Sequence, residues 1–210
     1  GYLHEQIDLR RGREPADLLG RIVNGEIDGK PLTHDEVLGM VHLIVIAGHE
    51  TTVNGIGHML GVLADDPALQ ARLRTTPALG GSVVDEALRF EAPVVAMART
   101  VTNPCTLGAA ALDAGDKVLL LFAAANRDPT RFLDADAFVP GAASAAHLAF
   151  GVGIHRCLGE HLARLEMRVV LEEVVARLPG LRRDGDEAPE YTSGQSRGLR
   201  SLPVAFDAAS

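Results

Sequence analysis

The stretch with the most chemistry in it is Phe150-Gly151-Val152-Gly153-Ile154-His155-Arg156-Cys157-Leu158-Gly159. Its glycines allow a tight loop that lays bare backbone against a flat partner. Cys157 falls where a helical pattern begins, running from Leu158 to about Leu178. Unpaired N–H groups and the positive dipole end at a helix start favour thiolate over thiol, and a thiolate is a metal ligand. Taken alone, the residue reads first as a buried structural cysteine beside a glycine turn. Gly151-x-Gly153 is no dinucleotide fingerprint, since Arg156 stands at the third glycine, and no Lys-Ser/Thr follows as a phosphate loop requires. His155, Cys157 and His161 lack the second cysteine pair of a structural zinc site.

A second stretch, Ala47-Gly48-His49-Glu50-Thr51-Thr52, breaks local rules inside a helical pattern. Gly48 costs about 1 kcal/mol in a helix interior. Thr51-Thr52 is β-branched, and Glu50 sets a charge in apolar sequence. Such violations mark either a site or a Gly–Thr kink. A hydroxyl beside a carboxylate can pass a proton, the acid resupplying what the alcohol donates. The third candidate, Glu86-Ala87-Leu88-Arg89, places an acid and a guanidinium on one helix face at i,i+3, a spacing any soluble helix can show.

The elements that position these groups follow from periodicity and punctuation. Tyr2, Leu3, Ile7 and Leu9 mark a short helix ended by Arg10–Pro15, so the sequence starts in mid-pattern and reads as part of a larger chain. A second helix spans about Ala16–Asn24. Thr33-x-x-Glu36 is a capping box that opens a helix expected from His34 to Ala64, roughly 46 Å at 1.5 Å per residue. Its apolar run from Val41 to Ala47 predicts burial through the core. Helices follow over about Pro67–Arg74 and Leu79–Phe90. Val94–Val101, Cys105–Leu107 and Lys117–Phe122 then read as one small sheet. Leu158, Leu162, Leu165 and Val169 recur at helical spacing as core, while Arg156, Arg164 and Arg168 give either a basic patch or a solvated face. The tail from Leu181 to Asp207 reads as loop and hairpin. The class is mainly α with a small β component, one unit over 1–210 without separate domains.

The 210 residues are 47% hydrophobic and 23% charged, with a net charge of −8. That balance argues for a globular protein and against nucleic acid as partner. No apolar run approaches the roughly 20 residues of a membrane span. Two cysteines, Cys105 and Cys157, point to a reducing cytoplasm.

Phe-x-x-Gly-x-x-x-Cys-x-Gly is filled at Phe150, Gly153, Cys157 and Gly159, and this loop resembles the haem-binding loop of the cytochrome P-450 family. Ala47–Thr51 resembles that family's distal-helix motif, and Glu86-x-x-Arg89 its buried core pair, in the same order along the chain. The resemblance covers the C-terminal half of the family fold, with the long central helix, the Glu-x-x-Arg helix, a small sheet and the cysteine loop leading into a long helix. It implies haem b with Cys157 as proximal thiolate, a ligand that pushes electron density onto iron and favours O–O cleavage. Ala149, Phe150, Gly151, Leu158, Gly159 and Ala163 would then line the haem, and Arg99 and His155 would hold its propionates. Ala47 and Gly48 would form the oxygen groove, Glu50 and Thr51 the proton relay, and Val94 and Val95 the edge of the substrate pocket. The implied activity is insertion of one oxygen atom of O2 into a small apolar organic substrate, with electrons from a ferredoxin or flavodoxin-type donor. The alternative is a non-catalytic haem-binding fragment that associates with its missing half or with itself. Two positions depart from the family pattern: Ala135 replaces a usual proline, and Ala142 replaces the arginine that completes a triad with Glu86 and Arg89, leaving His147 as a substitute partner.

Overall fold

A computed structural model describes residues 1–141, 146–185, 187–192 and 194–208. The chain divides into two compact units, Gly1–Glu50 and Thr51–Ser210. In the first, α1 (Tyr2–Asp8) and α2 (Leu18–Val23) are followed by β1 (Glu26–Ile27) and β2 (Lys30–Pro31), an antiparallel pair closed at Asp28 and Gly29, both with positive φ. Asp17 caps α2 by accepting from the Gly20 N–H at 2.7 Å and also takes the Arg10 guanidinium at 2.8 Å. Ile7, Val23, Leu32, Val37 and Val41 form this unit's core.

The expected capping box is present at the start of α3 (His34–Asp65). The Glu36 N–H donates to Thr33 Oγ1 at 3.3 Å, and Glu36 Oε2 accepts from the Thr33 N–H at 2.8 Å. The helix has nearly the expected bounds but not the expected burial. Val41 is buried, yet residues 42–50 are all exposed, with Leu43 at 67% and Ile46 at 69%. Hydrophobic content set that expectation, and apolar sequence does not specify which neighbour covers it.

In the second unit α3 continues past Thr51. Then come α4 (Pro67–Thr75), capped by Asp66, and α5 (Gly80–Phe90). The strands β3 (Ala96–Thr100), β4 (Cys105–Leu107), β5 (Ala110–Leu112) and β6 (Lys117–Leu121) follow, with α6 (Phe122–Ala125), α7 (Glu160–Arg177), β7 (Arg182–Arg183) and β8 (Val204–Ala205) completing the order. The chain is thus mainly helical with small sheets. The single small sheet is a correction: among the described residues β3 pairs with β6 and β4 with β5 in two separate two-stranded sheets. The Gly108 turn closes β4 on β5 as a local hairpin, which leaves β3 and β6 as a separate ladder. The tail does form a hairpin-like return, β7 against β8, with a bridge from Tyr191 to Leu199.

Core packing fixes how α7 is held. Met59 and Leu63 of α3, Val83, Val84, Ala87 and Leu88 of α5, and Met167, Leu171 and Val175 of α7 are buried in one cluster. The α7 contribution recurs every fourth residue, one face of a helix. Gly55 makes the approach of α3 to α7 possible, because a β-carbon there would stand 3.2 Å from Met167 Sδ and 3.5 Å from Pro93 Cγ. The expected core stripe Leu158, Leu162, Leu165 and Val169 is instead exposed, at 89, 59, 57 and 47%. Both stripes have helical spacing, so periodicity alone did not say which faces inward. No helix among the described residues is long and apolar enough to cross a membrane.

Gly198 lies against Asn54 of α3 so closely that a β-carbon would overlap the amide. Gly198→Ala is expected to cost about 1–3 kcal/mol through overpacking. It should also loosen the turn in which the Thr192 N–H donates to Gly198 O. Urea unfolding would measure the loss, and an unchanged midpoint would mean that Asn54 swings aside freely.

Candidate haem-thiolate site

Cys157 sits three residues before α7, and its loop is shaped by two left-handed glycines, Gly151 (φ +67°) and Gly153 (φ +66°). A side chain at either position would be strained. The Gly151 N–H donates to Leu148 O, residues Gly153–His155 form one 3-10 turn, and the Arg156 N–H returns to Gly153 O. The Cys157 N–H donates to Phe150 O at 2.9 Å, which ties the last motif residues to the first. The Cys157 thiol is free and exposed. A β-carbon at Gly159 would lie 4.0 Å from its Sγ, so Gly159 leaves room beside the sulfur. Val152, Ile154 and Leu158, apolar residues of the same loop, are 60, 97 and 89% exposed. His155 is exposed, while Ala149, Phe150, Gly151 and Ala163 are half-buried.

The loop is anchored from beneath. Glu86 and Arg89, 1% and 3% exposed, make a bidentate pair: Arg89 Nε donates to Glu86 Oε2 at 2.8 Å and Nη2 to Oε1 at 2.7 Å. The remaining guanidinium N–H groups go to the carbonyls of Asn126 (3.0 Å), Ala135 (2.8 Å) and Ala137 (2.7 Å). The Val139 N–H donates to Glu86 Oε1 at 2.7 Å. Backbone carbonyls therefore satisfy Arg89, and Ala135 takes part through its carbonyl although it departs from the family pattern. Ala142 lies outside the described residues. His147 does not substitute at this pair and is directed to Asp85 instead, 3.5 Å from its Oδ1. Asn126, fully buried, links pair and loop: its carbonyl takes Arg89, and its Oδ1 accepts from the Leu148 N–H at 2.7 Å.

The arginines near Cys157 are neutralised by carboxylates, which resolves the two readings of that face against a basic patch. Arg156 chelates Glu160 at 2.9 and 2.8 Å, Arg164 reaches Asp85 at 2.8 Å and Glu160 at 3.2 Å, and Arg168 pairs with Glu172. Glu160 is held below the usual carboxylate range, first by its hydrogen bond from Arg156. At Asp85 burial by itself raises the carboxyl, but the His147 and Arg164 interactions outweigh it and leave the group depressed. A depressed carboxyl contributes stability that is complete above its unfolded range and disappears as pH falls through the folded value. Urea midpoints of the chain and of Asp85→Asn are therefore expected to differ most near neutral pH and to converge on acidification. A gap that widened in acid would reverse the assignment.

The other predicted site residues are placed as follows. Arg99 is exposed on β3, opposite Val118, and its Nη1 donates to the neighbouring Ala98 carbonyl at 2.9 Å. Val94 and Val95 are half-buried and are held by the tail, which reads from sequence as loop and hairpin without a link to these residues. Val94 bridges Ser196, the Val95 N–H donates to Gln195 O, and the Arg197 N–H to Pro93 O. On α3, Thr51 is half-buried, whereas Ala47, Gly48 and Glu50 are exposed, so Glu50 is not the buried charge its apolar sequence context suggested. Nothing stands within 4 Å of a β-carbon built on Gly48.

A mainly helical fold thus presents a glycine-shaped cysteine loop in front of a helix and anchors that loop on a buried Glu–Arg pair. A family model described as Cytochrome P450 matches residues 4–76 and 80–194, and the chain belongs to that family. It is 42% identical over 210 residues to the cytochrome P450 monooxygenase PikC of Streptomyces venezuelae, covering 98% of this chain and 50% of that one. It is 36% identical to the cyclomarin C epoxidase CymV of Salinispora arenicola, over 98% of this chain and 52% of the relative. The crystal structure of CYP108D1 from Novosphingobium aromaticivorans superposes with a TM-score of 0.93 at 36% identity, covering 99% of this chain and 50% of that structure. The chain spans about half the length of the relatives it matches.

Proposed function

We propose that this chain carries the haem-binding and oxygen-activating residues of a haem-thiolate monooxygenase. In this reading it acts in the cytoplasm on a small apolar organic substrate, with electrons from a ferredoxin or flavodoxin-type donor. One observation carries the reading: Cys157 is a free, exposed thiol at the end of a loop whose left-handed glycines keep backbone bare beside it. A single soft sulfur donor on a loop that exposes apolar side chains suits a planar, hydrophobic, iron-bearing group. Haem b would supply binding and reductive cleavage of O2, with transfer of one oxygen atom to the substrate.

The chain's residues have separate tasks around that group. Cys157 Sγ would be the ligand, and Ala149, Phe150, Gly151, Leu158, Gly159 and Ala163 would pack at the thiolate side. Arg99 and His155, both exposed, would hold the two carboxylates of the group. Ala47 and Gly48 would form the oxygen groove on α3, the Thr51 hydroxyl would present a proton, and the Glu50 carboxyl, exposed to water, would resupply it. Val94 and Val95 bound the substrate. The test is an absorbance spectrum of the purified chain after haem addition, reduced under carbon monoxide. A strongly red-shifted Soret band is expected; a histidine-type or protonated-thiol spectrum, or no uptake, would overturn the reading.

A second reading is favoured by the exposed apolar side chains of α3 (Leu43, Val45, Ile46) and of α7 (Leu162, Leu165, Val169). In that reading the chain binds haem without turnover and functions only in association with a further chain or with itself. Sedimentation of the purified chain separates the two, since a monomer at micromolar concentration counts against association.

A further inference from the structure

His147 is almost completely enclosed, with 1% of its side chain exposed, and none of the roles assigned above uses it. Its Nδ1 takes the Ala149 N–H at 3.1 Å. A backbone N–H can only donate, so Nδ1 is the unprotonated nitrogen and the ring proton lies on Nε2. Nε2 has no hydrogen-bond partner within bonding distance, yet it faces Asp85 Oδ1 at 3.5 Å. The imidazole packs on Phe150 with ring centroids 5.7 Å apart. Arg164 stacks on the same ring, 4.6 Å from its centroid, and its Nε donates to the same Asp85 oxygen at 2.8 Å. Asp85 on α5 therefore holds two side chains that both bear on Phe150, and the Phe150 carbonyl receives the Cys157 N–H.

We propose that His147 is a positioning residue for the cysteine loop: together with Arg164 it couples Phe150, and through it the Cys157 amide, to Asp85. An apolar side chain of equal volume would fill the space but would strand the Ala149 N–H and release the loop from Asp85. Asparagine offers a partial replacement, because its side-chain oxygen readily accepts from the N–H two residues on but is too short to bring a donor to Asp85. The effect on Cys157 stands without haem. Its bearing on the ligand rests on the reading of Cys157 given under the proposed function.

Amide hydrogen exchange on the haem-free chain tests the coupling. His147→Phe is expected to speed exchange at Cys157 and Gly151 about tenfold, the equivalent of roughly one buried hydrogen bond, with Met167 and Leu171 of α7 unchanged. His147→Asn should recover part of that protection, and Asp85→Asn should lose a similar part. Unchanged exchange at Cys157 in His147→Phe would overturn the proposal. So would equal acceleration at Met167 and Leu171, which reports general loss of stability. Added haem gives a second readout: His147→Phe should shift the carbon monoxide spectrum toward the protonated-thiol form. If the unsubstituted chain takes up no haem, the functional reading fails, while the exchange pattern still decides the role of His147.

Discussion

Arg89→Met is expected to destabilise the chain by about 3–5 kcal/mol, the range for breaking a buried ion pair from one side. Every N–H of the guanidinium is engaged, by Glu86 and by the carbonyls of Asn126, Ala135 and Ala137. Methionine fills much of the volume but removes the counter-charge of the Glu86 carboxylate, 1% exposed, and takes the donor from the buried carbonyls of Asn126 and Ala135 and the partly buried one of Ala137. Arg89→Lys should recover little, because one ammonium cannot reproduce a planar fork that spans an acid and three carbonyls. Glu86→Gln is milder, since an amide oxygen can still accept from the Val139 N–H. The double variant Glu86→Gln/Arg89→Met should be less destabilised than the sum of its single changes, because no charge remains buried. Urea midpoints check the series. A loss for Arg89→Met within the ~0.5 kcal/mol typical of surface substitutions would mean that the pair is dispensable. The same variant should raise exchange at the Leu148 amide, because Asn126 joins the Arg89 network to the loop.

That network marks how far sequence could reach. Glu86 and Arg89 were legible only through their order between two other motifs, since an acid and an arginine at i,i+3 occur on any soluble helix. The partners that complete the site, Asp85, Asn126, His147 and Arg164, are joined across the chain; Arg164 and Asp85 are 79 residues apart, and no local pattern announces such a contact. The charge balance around Cys157 was legible in principle, because Arg156–Glu160, Glu160–Arg164 and Arg168–Glu172 are all i,i+4 pairs. The inward face of α7 was not. Leu158, Leu162, Leu165 and Val169 and the buried set Met167, Leu171 and Val175 both have helical spacing, and only contact with α3 and α5 chooses between them. The capping box at Thr33 was the opposite case, where a local hydrogen-bond exchange is written in adjacent residues and needs no distant partner.

Cys157→Ala should have the largest functional effect and almost none on stability. The Cys157 thiol is exposed, and the anchoring contact at this position is the main-chain N–H to Phe150, which alanine keeps. Removing one exposed sulfur should therefore leave the urea midpoint within the ~0.5 kcal/mol usual for surface changes. Haem added to the variant has no thiolate to meet, so the red-shifted band under carbon monoxide should be absent even if haem is still taken up. Cys105→Ser serves as the control, because Cys105 is exposed on β4 and should leave that spectrum unaltered. Persistence of the band in Cys157→Ala would remove Cys157 as the ligand. Loss of stability without haem would give the loop a structural task at the sulfur itself. The exposed thiol already departs from the buried structural cysteine that the loop sequence also allowed, and the paired result separates what remains: a structural thiol would fail both tests together, whereas a ligand fails only one.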